Sequence, residues 1–217
     1  MSHSEQPTKP TVGRKATISK DQLIAAALRL VGPHRSISSL SLREITREAG
    51  IAPNSFYRHF ASTEELAICV IELAGSTLRK VVGQARYRAQ ELNKGIVRMS
   101  VETFIEQLYA DGHYLPILLR EGVIGSDRFK NAVRQQLTFF EQELTEDLIA
   151  IADRAKLAPA SPALIARAIT RLVFAMGADA LELPKDEHPL LIDQMVIMIK
   201  MLVTGAHQLE KYPQLAD

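Results

Sequence analysis

The sequence predicts an all-α protein in two parts, a small N-terminal domain of three helices and a larger C-terminal helical domain, and three observations carry that prediction. The 217 residues are 47% hydrophobic and 24% charged, lack tryptophan and are rich in Ala, Leu, Ile, Glu, Arg and Gln, the mixture of packed amphipathic helices. Capping-box patterns recur at Ser19/Gln22, Ser41/Glu44 and Ser62/Glu65, each ahead of apolar residues at helical spacing. Helix breakers (Gly32-Pro33, Gly50, Asp111-Gly112, Gly125-Ser126, Pro159 to Pro162 and Pro184 to Pro189) divide the rest into helical lengths.

Taken in order, residues 1–18 form a basic arm, 19–61 the first domain and 62–217 the second. Helix one follows Ser19 and carries Leu23, Ile24, Ala27, Leu28 and Val31 before Gly32-Pro33 stops it. Helix two opens at Ser41, has a narrow stripe of Leu42, Ile45 and Ala49, and is closed by Gly50 in a left-handed turn. Pro53 is tolerated in the first turn of helix three, whose inward face is Phe56 and Phe60. The helix opened by Ser62 reaches about Gln90 and joins the two domains, with Gly75 and Gly83 as weak points. Further helices are predicted at about 95–111, 115–122, 127–156, 162–182 and 189–210. The last two are apolar on more than one face, so they need one partner inside the subunit and one outside it, a second copy of the chain.

Two short helices welded by Gly50-Ile51-Ala52 make a helix-turn-helix, in which the second helix enters the DNA major groove. With Phe56 and Phe60 inward, helical spacing turns Asn54, Ser55 and Arg58 outward and leaves Tyr57 and His59 at the flanks. Charge agrees. Residues 1–60 hold nine Lys or Arg against four acids, a net of +5, which leaves 17 and 21 and a net of −4 for the remainder. A basic head on a mildly acidic body fits a nucleic-acid partner.

The run Ser41 to Phe60, continued by A-S-T-E-E-L, resembles the N-terminal domain of TetR-type transcriptional repressors through Tyr57-Arg58-His59-Phe60 and Glu64-Glu65-Leu66. Residues 118–121 (L-L-R-E) and 173–182 (V-F-A-M-G-A-D-A-L-E) resemble the subgroup typified by FabR and DesT, repressors of unsaturated fatty acid synthesis. The resemblance implies that Ser41, Arg43, Tyr57, His59 and Thr63 contact phosphates, Thr63 standing where many members carry lysine. Asn54, Ser55 and Arg58 are the base-reading candidates, since asparagine pairs with adenine and arginine with guanine. Arg14 and Lys15 are candidates to follow the minor groove. A homodimer through 162–182 and 189–210 would present two recognition helices to successive major grooves, so a near-palindromic operator is expected.

Phe104, Leu108, Leu118, Leu119, Val123, Phe129, Val133, Leu137, Phe140, Phe174 and Met176 are numerous enough to line an elongated cavity, although periodicity alone favours a solid core. Resemblance to the fatty-acid subgroup implies that they hold the tail of a long-chain fatty acyl-CoA, with Arg120 either at the polar end of the pocket or in a structural ion pair. No cofactor and no catalysis are expected. There is no H-E-x-x-H, P-loop, G-x-G-x-x-G or G-x-S-x-G, and His3, His34, His59, His113, His188 and His207 have no ligand spacing. A lone Cys69 in a helical apolar run fits a reducing compartment, the cytoplasm. The first ten residues have no apolar signal region, and Arg167, Arg171, Asp179, Asp193 and Lys200 interrupt the longest apolar runs, so no membrane segment is expected.

Overall fold

Three serines start the three helices that matter most for the placement of the first domain. In the computed structural model, which describes residues 18–32, 35–92, 95–156 and 161–212, Ser19 and Ser41 close full capping boxes onto α1 (Lys20–Val31) and α2 (Leu42–Glu48). Ser62 caps α4 (Thr63–Glu91) by accepting from Glu65 N, but Glu65 Oε2 turns one residue further back, to Ala61 N at 2.6 Å. A 3₁₀ turn at Ile37–Ser39, which the sequence did not announce, joins α1 to α2.

The turn after α2 ends as its glycine requires. Gly50 has φ of +68°, its N–H returns to Arg47 O at 3.1 Å and that of Ile51 to Thr46 O at 2.9 Å, the paired bonds of a Schellman motif. Helix α3 (Pro53–Phe56) is four residues long, shorter than a run to Phe60 would make it. The chain leaves the helix at Tyr57, and residues 57–59 form a turn that still brings Phe56 and Phe60, 0% and 1% exposed, into the same core. Their rings lie 5.6 Å apart, and Lys20 Nζ of α1 sits 5.0 Å from the Phe60 ring centroid.

The second domain is built around α4. It packs on α1 of the first domain and on α5 (Ile96–Glu106), α6 (Tyr114–Ile124) and α7 (Asp127–Ala155), while α8 (Pro162–Ala180) lies against α7 and α9 (His188–Lys211). No strand occurs among the described residues. Gly75, a weak point by propensity, is where α4 meets α7 most closely: a Cβ there would overlap the side chain of Gln136. Gln136 is 3% exposed and its Oε1 accepts from Arg79 Nη1 at 2.7 Å, while Arg79 Nε donates to Glu143 at 2.9 Å. Helix α5 stops at Glu106 rather than near 111, the chain passing into 3₁₀-type bonds from Gln107 to Tyr109.

Helix α9 carries two apolar faces. Leu191, Met195, Val196 and Ile199 are buried in the subunit, whereas Leu190, Ile197, Met198 and Met201 are 64%, 53%, 44% and 66% exposed. An 18-residue window within 185–211 reaches a mean hydropathy of 1.5, long and apolar enough by length and composition to cross a bilayer. Its inner face is instead part of the subunit core, and Asp193 on its outer side pairs with Arg98 of α5 at 2.6 Å.

Candidate nucleic-acid interface and effector cavity

The candidate interface begins at the N-terminus of α2, where Ser41 is exposed and held by its own capping carboxylate. Ser41 Oγ donates to Glu44 Oε2 at 2.7 Å, Ser41 N donates to the same oxygen at 2.9 Å, and Arg35 Nη2 reaches Glu44 Oε1 at 2.8 Å. The backbone N–H and the hydroxyl of Ser41, then Arg35, lower the Glu44 carboxyl from its ordinary 4.5 to about 2. Free backbone N–H groups and the dipole of a helix start favour an anion in this place, and Arg43 stands exposed one residue into the helix.

Across the Gly50 turn, Asn54, Tyr57 and Arg58 are exposed, while Ser55 and His59 are half-buried. The Tyr57 ring stands edge-on to Phe56 with centroids 5.7 Å apart and planes at 88°, yet the residue is 58% exposed, so its hydroxyl is presented and its base is anchored. Asn54 and Ser55 are on α3 and Arg58 is on the turn that follows, so the outward row is shared by a short helix and a loop. Thr63 is the first residue of α4 and half-buried; it borders a cleft of about 230 Å³ between the two domains, with Ile37, Leu40, Ser126 and Phe129. Arg14 and Lys15 lie outside the described residues.

In the second domain a cavity of about 270 Å³ opens between α4, α5, α7, α8 and α9. Its lining is almost wholly apolar, including Val82, Val101, Leu148 and Val173, with Arg86 and Asp147 as the charged members. Arg86 Nε donates to Asp147 Oδ2 at 2.6 Å, their side chains being 12% and 38% exposed, so the pair marks the polar end of an otherwise oily space. Phe174 lies between Phe104 and Phe140, at 5.4 and 5.3 Å between centroids, in two edge-on contacts.

Of the residues named from the sequence for ligand binding, Phe104, Phe140 and Phe174 line this cavity. The others are placed elsewhere. Leu108, Leu118, Leu119 and Leu137 are buried in the core, Phe129 faces the interdomain cleft, and Val133 packs on α6, where a Cβ at Gly122 would stand 3.3 Å from its Cγ1. Met176 and Arg120 are half-buried outside the cavity lining, and Val123 is 65% exposed on the surface. Sequence reasoning did not assign Arg86 or Asp147 to a ligand site; the Glu143 and Asp147 pair at i and i+4 reads there as a solvated helix face. The available signal was Arg79, Val82 and Arg86 at i, i+3 and i+7, which places two arginines on the inner face of α4. Also missed was Glu121, 1% exposed on α6, which accepts from Ser36 Oγ at 2.6 Å and Ile37 N at 2.9 Å in the first domain.

The profile described as bacterial regulatory proteins of the tetR family matches residues 23–69. An uncharacterized HTH-type transcriptional regulator of Haemophilus influenzae is 35% identical over 184 residues, 85% of this chain and 88% of that protein. The crystal structure of a tetR-family transcriptional regulator from Streptomyces coelicolor aligns with a TM-score of 0.63 at 20% identity, covering 86% of this chain and 81% of the other. That of the transcriptional regulator FadR from Bacillus subtilis in complex with stearoyl-CoA gives 0.62 at 15% identity, covering 86% and 99%. At such identities the two structures speak for the fold alone. The tetR-family match over the helix-turn-helix, together with an HTH-type relative along most of the length, establishes that this chain belongs to the TetR family of bacterial transcriptional regulators, which bind DNA and are not enzymes.

Proposed function

We propose that this protein is a cytoplasmic, homodimeric repressor that binds a near-palindromic operator and controls fatty acid metabolism in response to long-chain acyl-CoA. The observation that carries the effector half is the apolar cavity with its single charged pair at Arg86 and Asp147, a lining whose chemistry suits a hydrocarbon with a polar end. The likeness in fold to a FadR that holds stearoyl-CoA supports the reading, as does the likeness to a fatty acid degradation regulator from Bacillus halodurans. The exposed stripe of Leu190, Ile197, Met198 and Met201 supports the homodimer, because apolar groups spaced along one face of a 24-residue helix lower their free energy by meeting a copy of themselves.

On DNA, Ser41, Arg43, Tyr57, His59 and Thr63 hold phosphates and set the register, while Asn54, Ser55 and Arg58 meet base edges. The effector acts through helix packing. A cavity of about 270 Å³ sits at the small end of ligand pockets, so a long acyl chain enters only as α5 and α8 move apart. A kinked and a straight chain of equal length differ in shape and hardly in polarity, so each favours a different packing, and this differential affinity changes operator binding.

The test is calorimetry with oleoyl- and palmitoyl-CoA, with and without operator duplex, after gel-shift titration of genomic fragments against scrambled duplexes. Micromolar or tighter binding with different effects on operator affinity supports the reading. Sequence preference without any acyl-CoA binding leaves a TetR-type regulator of another hydrophobic ligand, in line with the fold it shares with the multidrug binding protein EbrR. Absence of preference for any fragment defeats the repressor reading.

A further inference from the structure

Glu121 is among the most buried side chains of the protein, and its contacts are to the other domain. Oε1 accepts two hydrogen bonds, from Ser36 Oγ at 2.6 Å and from Ile37 N at 2.9 Å, both at the 3₁₀ turn that leads into α2. Placing a carboxylate in the interior is costly unless donors meet it: residues 84 and 85 positions away in sequence supply two donors to Oε1, while Oε2 is buried without a hydrogen-bond partner among the described residues. The site is also shaped for it. At Gly125, one turn along, a Cβ would collide with Glu121 O and stand 3.1 Å from Glu121 Oε2 and 3.0 Å from Phe129 Cβ, so only glycine leaves room.

From Ser36 the hydrogen bonds continue without a gap to the interface. Ser39 Oγ donates to Ser36 O at 2.7 Å and accepts from Arg35 Nε at 3.1 Å. Arg35 Nη2 reaches Ser39 O at 3.2 Å and Glu44 Oε1 at 2.8 Å, and Glu44 Oε2 takes both the N–H and the hydroxyl of Ser41. Glu44 keeps its charge through ordinary conditions, which keeps this last link strong. On the other side of Glu121, Leu119 of the same helix packs with Phe104 on Gly177: a Cβ at Gly177 would stand 2.8 Å from the Phe104 ring and 3.7 Å from Leu119 Cδ1. Phe104 is cavity wall. Helix α6 therefore stands beside the cavity wall through one side chain, Leu119 at Gly177, and meets the turn before α2 through another, Glu121.

We infer that Glu121 is a positioning residue for DNA binding: held on α6, it fixes the 3₁₀ turn at Ile37–Ser39 and, through Arg35 and Glu44, the orientation of Ser41 at the phosphate-facing end of α2. A shift of α6 that lengthens the Glu121 bonds releases this end from its docked position, giving the two domains a discrete element whose state both ligands bias. The inference rests on the proposed DNA-contacting role of Ser41, and the experiment separates the two.

Hydrogen exchange of residues 36–45 in the full-length protein is measured for wild type, Glu121→Ala, Glu121→Gln and Ser36→Ala, alongside operator titration. Loss of the acceptor leaves the buried Ile37 N–H unsatisfied, so Glu121→Ala speeds exchange in 36–45 by about tenfold or more. Exchange of α8 and α9 stays at the wild-type rate, and affinity falls for operator and scrambled duplex alike, as expected of a phosphate contact. Glu121→Gln keeps an oxygen that accepts both bonds and restores most of the protection. Ser36→Ala gives a smaller change that is not additive with Glu121→Ala. Wild-type exchange of 36–45 in Glu121→Ala, or an equal rise of exchange throughout the protein, overturns the inference. If no variant, wild type included, binds any duplex while exchange of 36–45 responds as described, the positioning role stands and the DNA contact of Ser41 falls.

Discussion

Phe56→Ala is the perturbation that most directly tests how the recognition element is held. Helix α3 spans four residues, too few to stand alone, since isolated helices below about 12–15 residues are marginal in water. Its position depends on Phe56 and Phe60, both fully buried, and Phe56 lies against Tyr57 and Phe60 at 5.7 and 5.6 Å between centroids. Phe→Ala in a core costs about 3–5 kcal/mol, and two ring contacts worth about 0.5–1.5 kcal/mol each place this site in the upper part of that range. That loss falls on a domain of roughly forty residues, whose share of a typical stability of about 0.05–0.15 kcal/mol per residue is about 2–6 kcal/mol, comparable with the loss itself. The expected outcome is therefore local: residues 42–60 lose exchange protection and operator binding disappears, while α5 to α9 keep theirs. The assay is hydrogen exchange by segment together with operator titration and urea unfolding. Retention of operator affinity within about threefold, or a cost below about 1 kcal/mol, would refute the argument that these two rings hold α3.

Four further outcomes are expected. Arg58→Ala relaxes discrimination at one base pair by about 1–3 kcal/mol, whereas Tyr57→Phe weakens all duplexes alike, as gel-shift titration over a panel of single-base operator variants can check. Met201→Arg puts an unpaired charge into the exposed stripe of α9 and splits the dimer, seen by sedimentation, with a penalty of about 3–5 kcal/mol if the stripe is the interface. Val196→Arg, by contrast, unfolds the subunit, since Val196 is 4% exposed within it. Val173→Trp fills the cavity and abolishes acyl-CoA binding in calorimetry with operator binding kept, whereas Val133→Trp overpacks the contact with Gly122 at a cost of about 1–3 kcal/mol and leaves the cavity open. The Glu44 carboxyl, held at about 2 against an ordinary 4.5, contributes stability that is present above about pH 4.5 and lost as pH falls toward 2. The deficit of Glu44→Gln, measured by unfolding at a series of pH values, accordingly shrinks across that window, and a deficit independent of pH would contradict the Ser41 and Arg35 contacts.

What was legible in the sequence is what local chemistry fixes. A serine three residues before a Glu or Gln caps a helix within its own first turn, so Ser19, Ser41 and Ser62 mark starts that the structure keeps. Gly50 takes a left-handed φ that side chains resist, so the turn between α2 and α3 is set by one residue. Proline and glycine between the later helices give boundaries within a few residues of those observed, α5 being the exception, where the chain passes into 3₁₀-type bonds after Glu106.

The tertiary structure decided which face of an apolar helix turns inward, because spacing defines a stripe but not its partner. Val196 and Met201 both belong to the apolar surface of α9, and only packing against α5 and α8 buries the first and exposes the second. The same holds for the cavity: Phe104 and Leu119 look alike in sequence, yet one lines the space and the other braces α6 beside it. Glu121 is the extreme case. Nothing within its own helix calls for a carboxylate there, and its donors lie 84 and 85 residues away, so its role exists only once α6 has been laid against the turn before α2.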